Sequence, residues 1–384
     1  MAEDQRAPTR SVDAGERIHS LDILRGLALL GMFVVHFHVR STEPGGIDDV
    51  VRTLVWRLVE SKSHGAFALL FGAGFAVQLR RAEERGTPFV GIYLRRLAVL
   101  ALFGLAAHAF FGFNVLLGYA LWAVPLLLIR HWSTRALLAT AVISAMSVPL
   151  YYLAASRLPL AGGSEAATTV NDALRAAEAQ GSYRALLAAR LRHMAWFYAQ
   201  PFSFLPGVTV TLFIAGLLLV RHRVFEQVRS HTRLLGGMAV FGVLSWLTHN
   251  WLLGFSPVGL LRDQWLTFAY VAAVLVLLDR RPALTPRLRG VANAGRMALT
   301  NYLLQIAALD LLFSGYAIGL GSIRPVFGPV AAVACFLIVV VFSTWWLRYF
   351  RFGPAEWVWR SVTYGRLQPM RRREAPPVSA PAAV

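Results

Sequence analysis

The chain has 384 residues, 57% hydrophobic and 15% charged, against a charged share of about a quarter in soluble domains. That balance excludes an ordinary water-soluble domain and makes lipid the expected solvent. The formal net charge of +18 does not mark a nucleic-acid binder, because the basic residues sit in short clusters between long apolar runs rather than along one face.

A bilayer core is crossed by roughly 17 to 25 apolar residues at about 1.5 Å per helical residue. Residues 1–19 form a basic segment ahead of the first apolar run, 20–39. That run contains Asp22 and Arg25 and lacks a following small-residue cleavage pattern, so it reads as a retained helix rather than a signal peptide. Residues 41–62 read as an amphipathic helix at the outer surface, with Val51, Leu54, Val55 and Leu58 at helical spacing. Further apolar runs follow at 63–80, 92–110, 113–129 and 135–155.

The connection 156–200 is the one sizeable soluble segment. It opens on the turn-like Ala161-Gly162-Gly163-Ser164, continues into a good helix former after Asn171-Asp172, and is expected to be a helical cap on the outer face. Runs at 203–220, 234–254, 263–279, 297–320 and 326–347 complete the series. Residues 351–384 form a basic tail, expected to be disordered after Pro369, with Arg371 to Arg373 placed to meet anionic headgroups.

No run alternates with period two, and all are too long for barrel strands. The fold class is therefore all-α: a polytopic transmembrane bundle of about ten spans over residues 20–350. Taking the connections alternately, one side carries 26 basic residues and the other 11. By the positive-inside rule both termini are cytoplasmic, and the expected location is the bacterial inner membrane, crossed many times.

Ionisable residues inside a span are costly and mark candidate sites. Arg25 to His36 advances about 20° beyond three full turns, and Asp22 lies about 60° to the other side of Arg25, so the three share one stripe. The stripe rises roughly 16 Å from an anion site to a proton-handling imidazole. Alternatively, Asp22 and Arg25 form an interfacial i, i+3 ion pair and His36 is interfacial too.

Arg95 and Arg96 suit either bidentate phosphate recognition or topological anchoring. His64 and His108 lie near outer helix ends, as packed or interfacial residues. Asn301 and Gln305, four apart, face the same way, either bridging helices or meeting substrate. Asp310 must meet Arg25, His36 or His249, or stay protonated. The lone Cys335 leaves no disulfide framework and no cysteine metal cluster, and neither a metal nor a permanently bound cofactor is expected.

Several blocks resemble a known family. Leu21-Asp22-Ile23-Leu24-Arg25-Gly26, Leu69-Leu70-Phe71-Gly72-Ala73-Gly74-Phe75, Arg95-Arg96 and Leu117-Gly118-Tyr119-Ala120 resemble the bacterial domain of unknown function 418, the YeiB-like membrane proteins. So do Gly295-Arg296-Met297-Ala298-Leu299-Thr300-Asn301-Tyr302-Leu303-Leu304-Gln305 and Gly353-Pro354-Ala355-Glu356-Trp357. The Leu-Asp-x-x-Arg-Gly opening is also similar to the transmembrane acyltransferases, including acyltransferase family 3 and the lysosomal glucosaminide acetyltransferases. The spacing of Arg25 and His36 fits the arginine and histidine of acyltransferase family 3. The chain departs from the unknown-function family's pattern in carrying His36 for asparagine and Asn114 for aspartate.

The Arg25 and His36 stripe, together with this resemblance, makes acyl transfer from cytoplasmic acyl-CoA to an acceptor at the membrane or outer face the leading expectation. Arg25, Arg95 and Arg96 would hold CoA phosphates, His36 would be the general base, and Asp310 would orient it. Membrane lipids and a small-molecule or cell-envelope acceptor are the expected partners. A transporter using Asp310 and His36 as midplane sites, or a scaffold whose polar residues only fix packing, are the competing expectations.

Overall fold

The structure, a computed structural model, describes residues 18–42, 45–112, 114–155, 163–200, 203, 205–248 and 259–372. His249 and the tail beyond Arg372 lie outside them. The described residues are helical apart from turns, connections and two isolated bridges, Ser41 with Ile323 and Phe350 with Arg371.

In chain order the helices are α1 (His19–Val39), α2 (Ile47–Val55), α3 (Ser61–Glu84), α4 (Val90–Phe111), α5 (Leu116–Trp122) and α6 (Val124–Ile129). Then come α7 (Thr134–Ala155), α8 (Gly163–Ala179), α9 (Tyr183–Ala199), α10 (Gly207–Arg221), α11 (Thr232–Thr248) and α12 (Gly259–Arg280). The series ends with α13 (Leu284–Arg287), α14 (Arg289–Arg296), α15 (Ala298–Phe313), α16 (Phe327–Tyr349) and α17 (Pro354–Tyr364).

By length and composition four helices can cross a membrane: His19–Val39, Val90–Phe111, Thr134–Ala154 and Phe327–Tyr349. Leu116–Ile129, Gly207–Arg221 and Ala298–Phe313 are shorter apolar helices. Their outward faces carry side chains that water would not tolerate as a contiguous belt, among them Ile143 at 71% exposed and Val341 at 69%.

Each of the ten apolar runs falls on helix over most of its described residues, 249–254 of the 234–254 run lying outside them, but three expectations need correction. The 113–129 run is two helices that meet at Ala123, where Pro125 withholds a ladder donor. The 297–320 run is helical only to Phe313. In the 41–62 segment α2 ends at Val55 and a π turn, Trp56–Glu60, leads directly into α3. Of its expected stripe Val55 is buried, Val51 and Leu58 are half-buried and only Leu54 is exposed, as Ile47 and Val50 are, while Asp48 turns inward to accept from Arg324 Nε at 3.0 Å and Val326 N at 2.9 Å.

α1 is the central helix, apolar on most sides, with Leu29, Met32 and Phe33 at most 3% exposed. It packs against α3, α14, α15 and α16. Glycines set the closest approaches. A Cβ on Gly26 would lie 2.2 Å from the Val291 carbonyl oxygen, and one on Gly295 would lie 2.0 Å from that of Asp22. Backbone contact through small residues is how helices associate when lipid supplies no hydrophobic drive between them. It holds Arg25 at a fixed depth beside the start of α15.

The bundle has two distinct ends. The α8–α9 hairpin covers the end where α1, α4 and α15 finish: Arg40 bonds Glu178, Gly315 N donates to Glu178 O at 3.0 Å, and Arg190 reaches both Phe110 and Asp310. At the opposite end the starts of α1, α4 and α15 meet the finish of α3 and the short helix α17.

Candidate functional site

A cavity of about 390 Å³ opens at the end away from the hairpin. Its mouth carries arginines from five helices and two connections: Arg25 (α1), Arg81 (α3), Arg96 (α4), Arg296 (α14), Arg360 (α17), Arg85 and Arg351. Its inner wall is apolar and aromatic, formed by Met32, Phe67, Phe71, Leu100, Tyr119 and Tyr302. Charge outside and aromatic surface inside suit an amphipathic anion entering head last, with guanidinium groups gripping oxygens at the rim.

The ion pair expected within the first stripe forms, but the stripe does not follow one cavity wall, because His36 is not among the lining residues. Arg25 Nη1 bonds Asp22 Oδ1 at 3.2 Å, as an i, i+3 pair, and both side chains line the cavity. Arg95 and Arg96 part company, because consecutive helical positions are about 100° apart. Arg96 lines the cavity, its guanidinium 3.6 Å above the Trp359 ring, and Trp359 Nε1 donates to the Arg96 carbonyl at 2.8 Å. Arg95 is exposed and is not part of the lining.

The sequence offered no role for Glu356, yet its carboxylate lines the cavity beside the arginines. Oε1 accepts from Leu299 N at 2.7 Å and Thr300 N at 3.0 Å, and Oε2 accepts from Thr300 Oγ1 at 2.5 Å. It thus caps the first turn of α15 from α17, satisfying amides that have no helical partner and sitting at the positive end of the helix dipole. The readable signal was Gly353-Pro354-Ala355-Glu356, a proline and an acid in one first helical turn.

At the inner end Tyr119 OH donates to the His64 carbonyl at 2.9 Å, and Tyr302 OH accepts from Val115 N at 3.4 Å. The Tyr302 ring lies 5.9 Å from the His36 ring, centroid to centroid. His36 is not in the cavity wall, but its ring packs against Tyr302, which is. His36 Nδ1 is buried with no hydrogen-bond partner among the described residues. His64 and Arg40 are near enough to interact with His36 electrostatically, and His64 Nδ1 sits 3.1 Å from the Glu60 carbonyl.

Asp310 meets neither Arg25 nor His36, and His249 lies outside the described residues. Arg190, arriving from α9, bonds both its oxygens; Ser314 Oγ donates at 2.8 Å and Tyr316 OH at 2.7 Å. Arg190 also donates to the Phe110 carbonyl at 2.5 Å, and both members of the ion pair are 1% exposed. His108 belongs to this hairpin end, its ring 5.8 Å from that of His193 and 6.4 Å from that of Tyr198. Asn301 Nδ2 ties α15 to Ala294 O at 3.0 Å and to Ser343 Oγ at 2.9 Å. Gln305, also buried, makes no such tie.

The two halves of the chain match different families. Residues 17–160 match heparan-alpha-glucosaminide N-acetyltransferase, catalytic, and residues 219–366 match protein of unknown function (DUF418). Uncharacterized protein YxaH of Bacillus subtilis is 29% identical, with 93% of this chain and 97% of that protein aligned. An uncharacterized 39.9 kDa protein from the amylase 3' region of Bacillus acidopullulyticus is 31% identical over 92% of this chain and 96% of its own length. Uncharacterized protein YeiB of Escherichia coli is 46% identical over 74 residues, 19% of each chain. No solved structure matches. Near full-length likeness to the two Bacillus relatives, with the carboxy-terminal match and the shorter likeness to YeiB, places the chain in the YeiB-like DUF418 family of membrane proteins.

Proposed function

We propose that this protein transfers an acyl group from cytoplasmic acyl-CoA to a hydroxyl or amine acceptor at the membrane or outer face. The observation that carries the reading is the cavity itself: an arginine-rimmed mouth leads to an aromatic wall, and Tyr302 in that wall packs against the His36 ring. The likeness of residues 17–160 to an acetyltransferase catalytic region supports it, since that stretch supplies Arg25, His36, Arg96 and Tyr119.

In this reading Arg25 and Arg96 hold the CoA phosphates, and the pantetheine arm runs up the aromatic wall along α1. Arg25 and His36 are about 16 Å apart along the helix axis, so the thioester arrives beside Tyr302. Displacement of the Tyr302 side chain joins the cavity to His36, which takes the proton from the attacking acceptor. Asp310 takes no part in the chemistry; it fixes the α8–α9 hairpin to the bundle through Arg190.

The accompanying topology has ten crossings of the inner membrane, both termini and the cavity mouth in the cytoplasm, and the hairpin outside. In a chain freed of Cys335, cysteine at exposed Glu83 is expected to react with an impermeant maleimide only from the cytoplasm. Cysteine at exposed Gln180 is expected to react only from outside, and the same accessibility for both would refute the arrangement. For the chemistry, wild-type protein in proteoliposomes is expected to move a labelled acetyl group from acetyl-CoA into acceptor, and His36→Ala to abolish transfer while still binding CoA. Undiminished transfer by His36→Ala would remove the proposed base; flux of a small solute without any acyl donor would favour transport instead.

A further inference from the structure

Asn301 and Gln305 sit one turn apart on α15, at 0% and 1% exposed, with contrasting surroundings. Asn301 places both amide hydrogens, on Ala294 and Ser343, and leaves only its Oδ1 unmatched. Gln305 has neither Nε2 nor Oε1 bonded to anything among the described residues. Burying an amide that way is unfavourable, and folds retain few such groups without a use for them.

Position suggests the use. Gln305 follows Tyr302 on α15 by about 60° around the axis and about 4.5 Å along it, on the side away from the arginine mouth. Tyr302 lines the cavity, which neither Gln305 nor His36 does, and the ring of His36, whose Nδ1 is likewise unmatched among the described residues, packs on Tyr302. Helical spacing thus sets the unmatched amide of Gln305 and the unmatched Nδ1 of His36 on the two helices behind Tyr302, on the side toward which the thioester of an entering acyl-CoA would point.

We propose that Gln305 Nε2 donates a hydrogen bond to the carbonyl oxygen of the bound thioester, an assignment that rests on the acyl-transfer reading. The acceptor's X–H attacks the carbonyl carbon, the C–X bond forms, and the electron pair moves to the carbonyl oxygen, where the amide meets the developing charge. Collapse breaks the C–S bond. The X–H proton passes to His36 and from it to the departing thiolate, leaving acyl-X and CoA-SH. A preorganised donor of this kind contributes about 100- to 1,000-fold to kcat.

The test is isotope-edited infrared spectroscopy of full-length protein in lipid nanodiscs with acetyl-CoA carrying a ¹³C carbonyl. In wild type the carbonyl band is expected below its position for the free thioester. In Gln305→Met it returns to that position, while affinity for CoA itself is unchanged and thermal stability is equal or higher, because an unmatched amide has been replaced by an apolar side chain of similar size. Gln305→Asn, which keeps the amide but withdraws it by one methylene, is expected to shift the band partway and carries the test if methionine disturbs folding.

A band at the same position in wild type and Gln305→Met, with acetyl-CoA bound, overturns the role of Gln305 and leaves acyl transfer standing. Failure of wild type to bind either CoA or acetyl-CoA overturns both.

Discussion

Arg25 with Asp22 and Arg190 with Asp310 are the same chemical pair at opposite ends of one bundle. The first is open: its side chains are 29% and 10% exposed, a single contact of 3.2 Å joins them, and further arginines surround them. The second is closed: both partners are 1% exposed, and a serine, a tyrosine and a backbone carbonyl complete the knot. A pair with arginines in excess and access from outside is ready for an anion, whereas a charge-balanced knot with its oxygens filled is a fastener. Burial and stoichiometry, not the presence of charge within a membrane helix, separate binding from holding.

Breaking the closed pair has the largest expected effect. Asp310→Ala leaves Arg190 buried without its countercharge and is expected to lower stability by about 3–5 kcal/mol. Thermal unfolding in detergent measures this, and a shift no larger than that of a surface variant would mean that the hairpin is not held there. Replacing both partners together, Arg190→Met with Asp310→Leu, is expected to restore most of the loss. At the open end Glu356→Ala removes the cap on α15 and is expected to cost about 1–2 kcal/mol. That smaller loss comes with a change in CoA affinity, because Glu356 lines the cavity. Loss of stability with affinity untouched would make the residue a fastener only.

The difference between the ends was only partly legible in the sequence. Runs of apolar residues announced the helices, and the Arg25 stripe followed from helical spacing, because both depend on neighbours within one element. The partners of the polar residues did not follow. Arg190 reaches Asp310 across 120 positions, and Glu356 reaches back 56 to α15. Nor does periodicity distinguish Asn301 from Gln305, which share a spacing and a chemistry. Asn301 is partnered because Ala294 of α14 and Ser343 of α16 lie within its reach. The Arg95 and Arg96 doublet read as one feature, yet a 100° step sends one side chain out of the bundle and the other over Trp359.

That doublet supplies the sharpest measurement. Equilibrium binding of CoA to purified wild type, Arg95→Ala and Arg96→Ala compares two adjacent arginines of which one lines the cavity. Loss of a charge-assisted contact predicts an increase in Kd of about 10- to 100-fold for Arg96→Ala. For Arg95→Ala the account predicts no change. Equal weakening by both variants, or by neither, would contradict recognition of CoA inside this cavity.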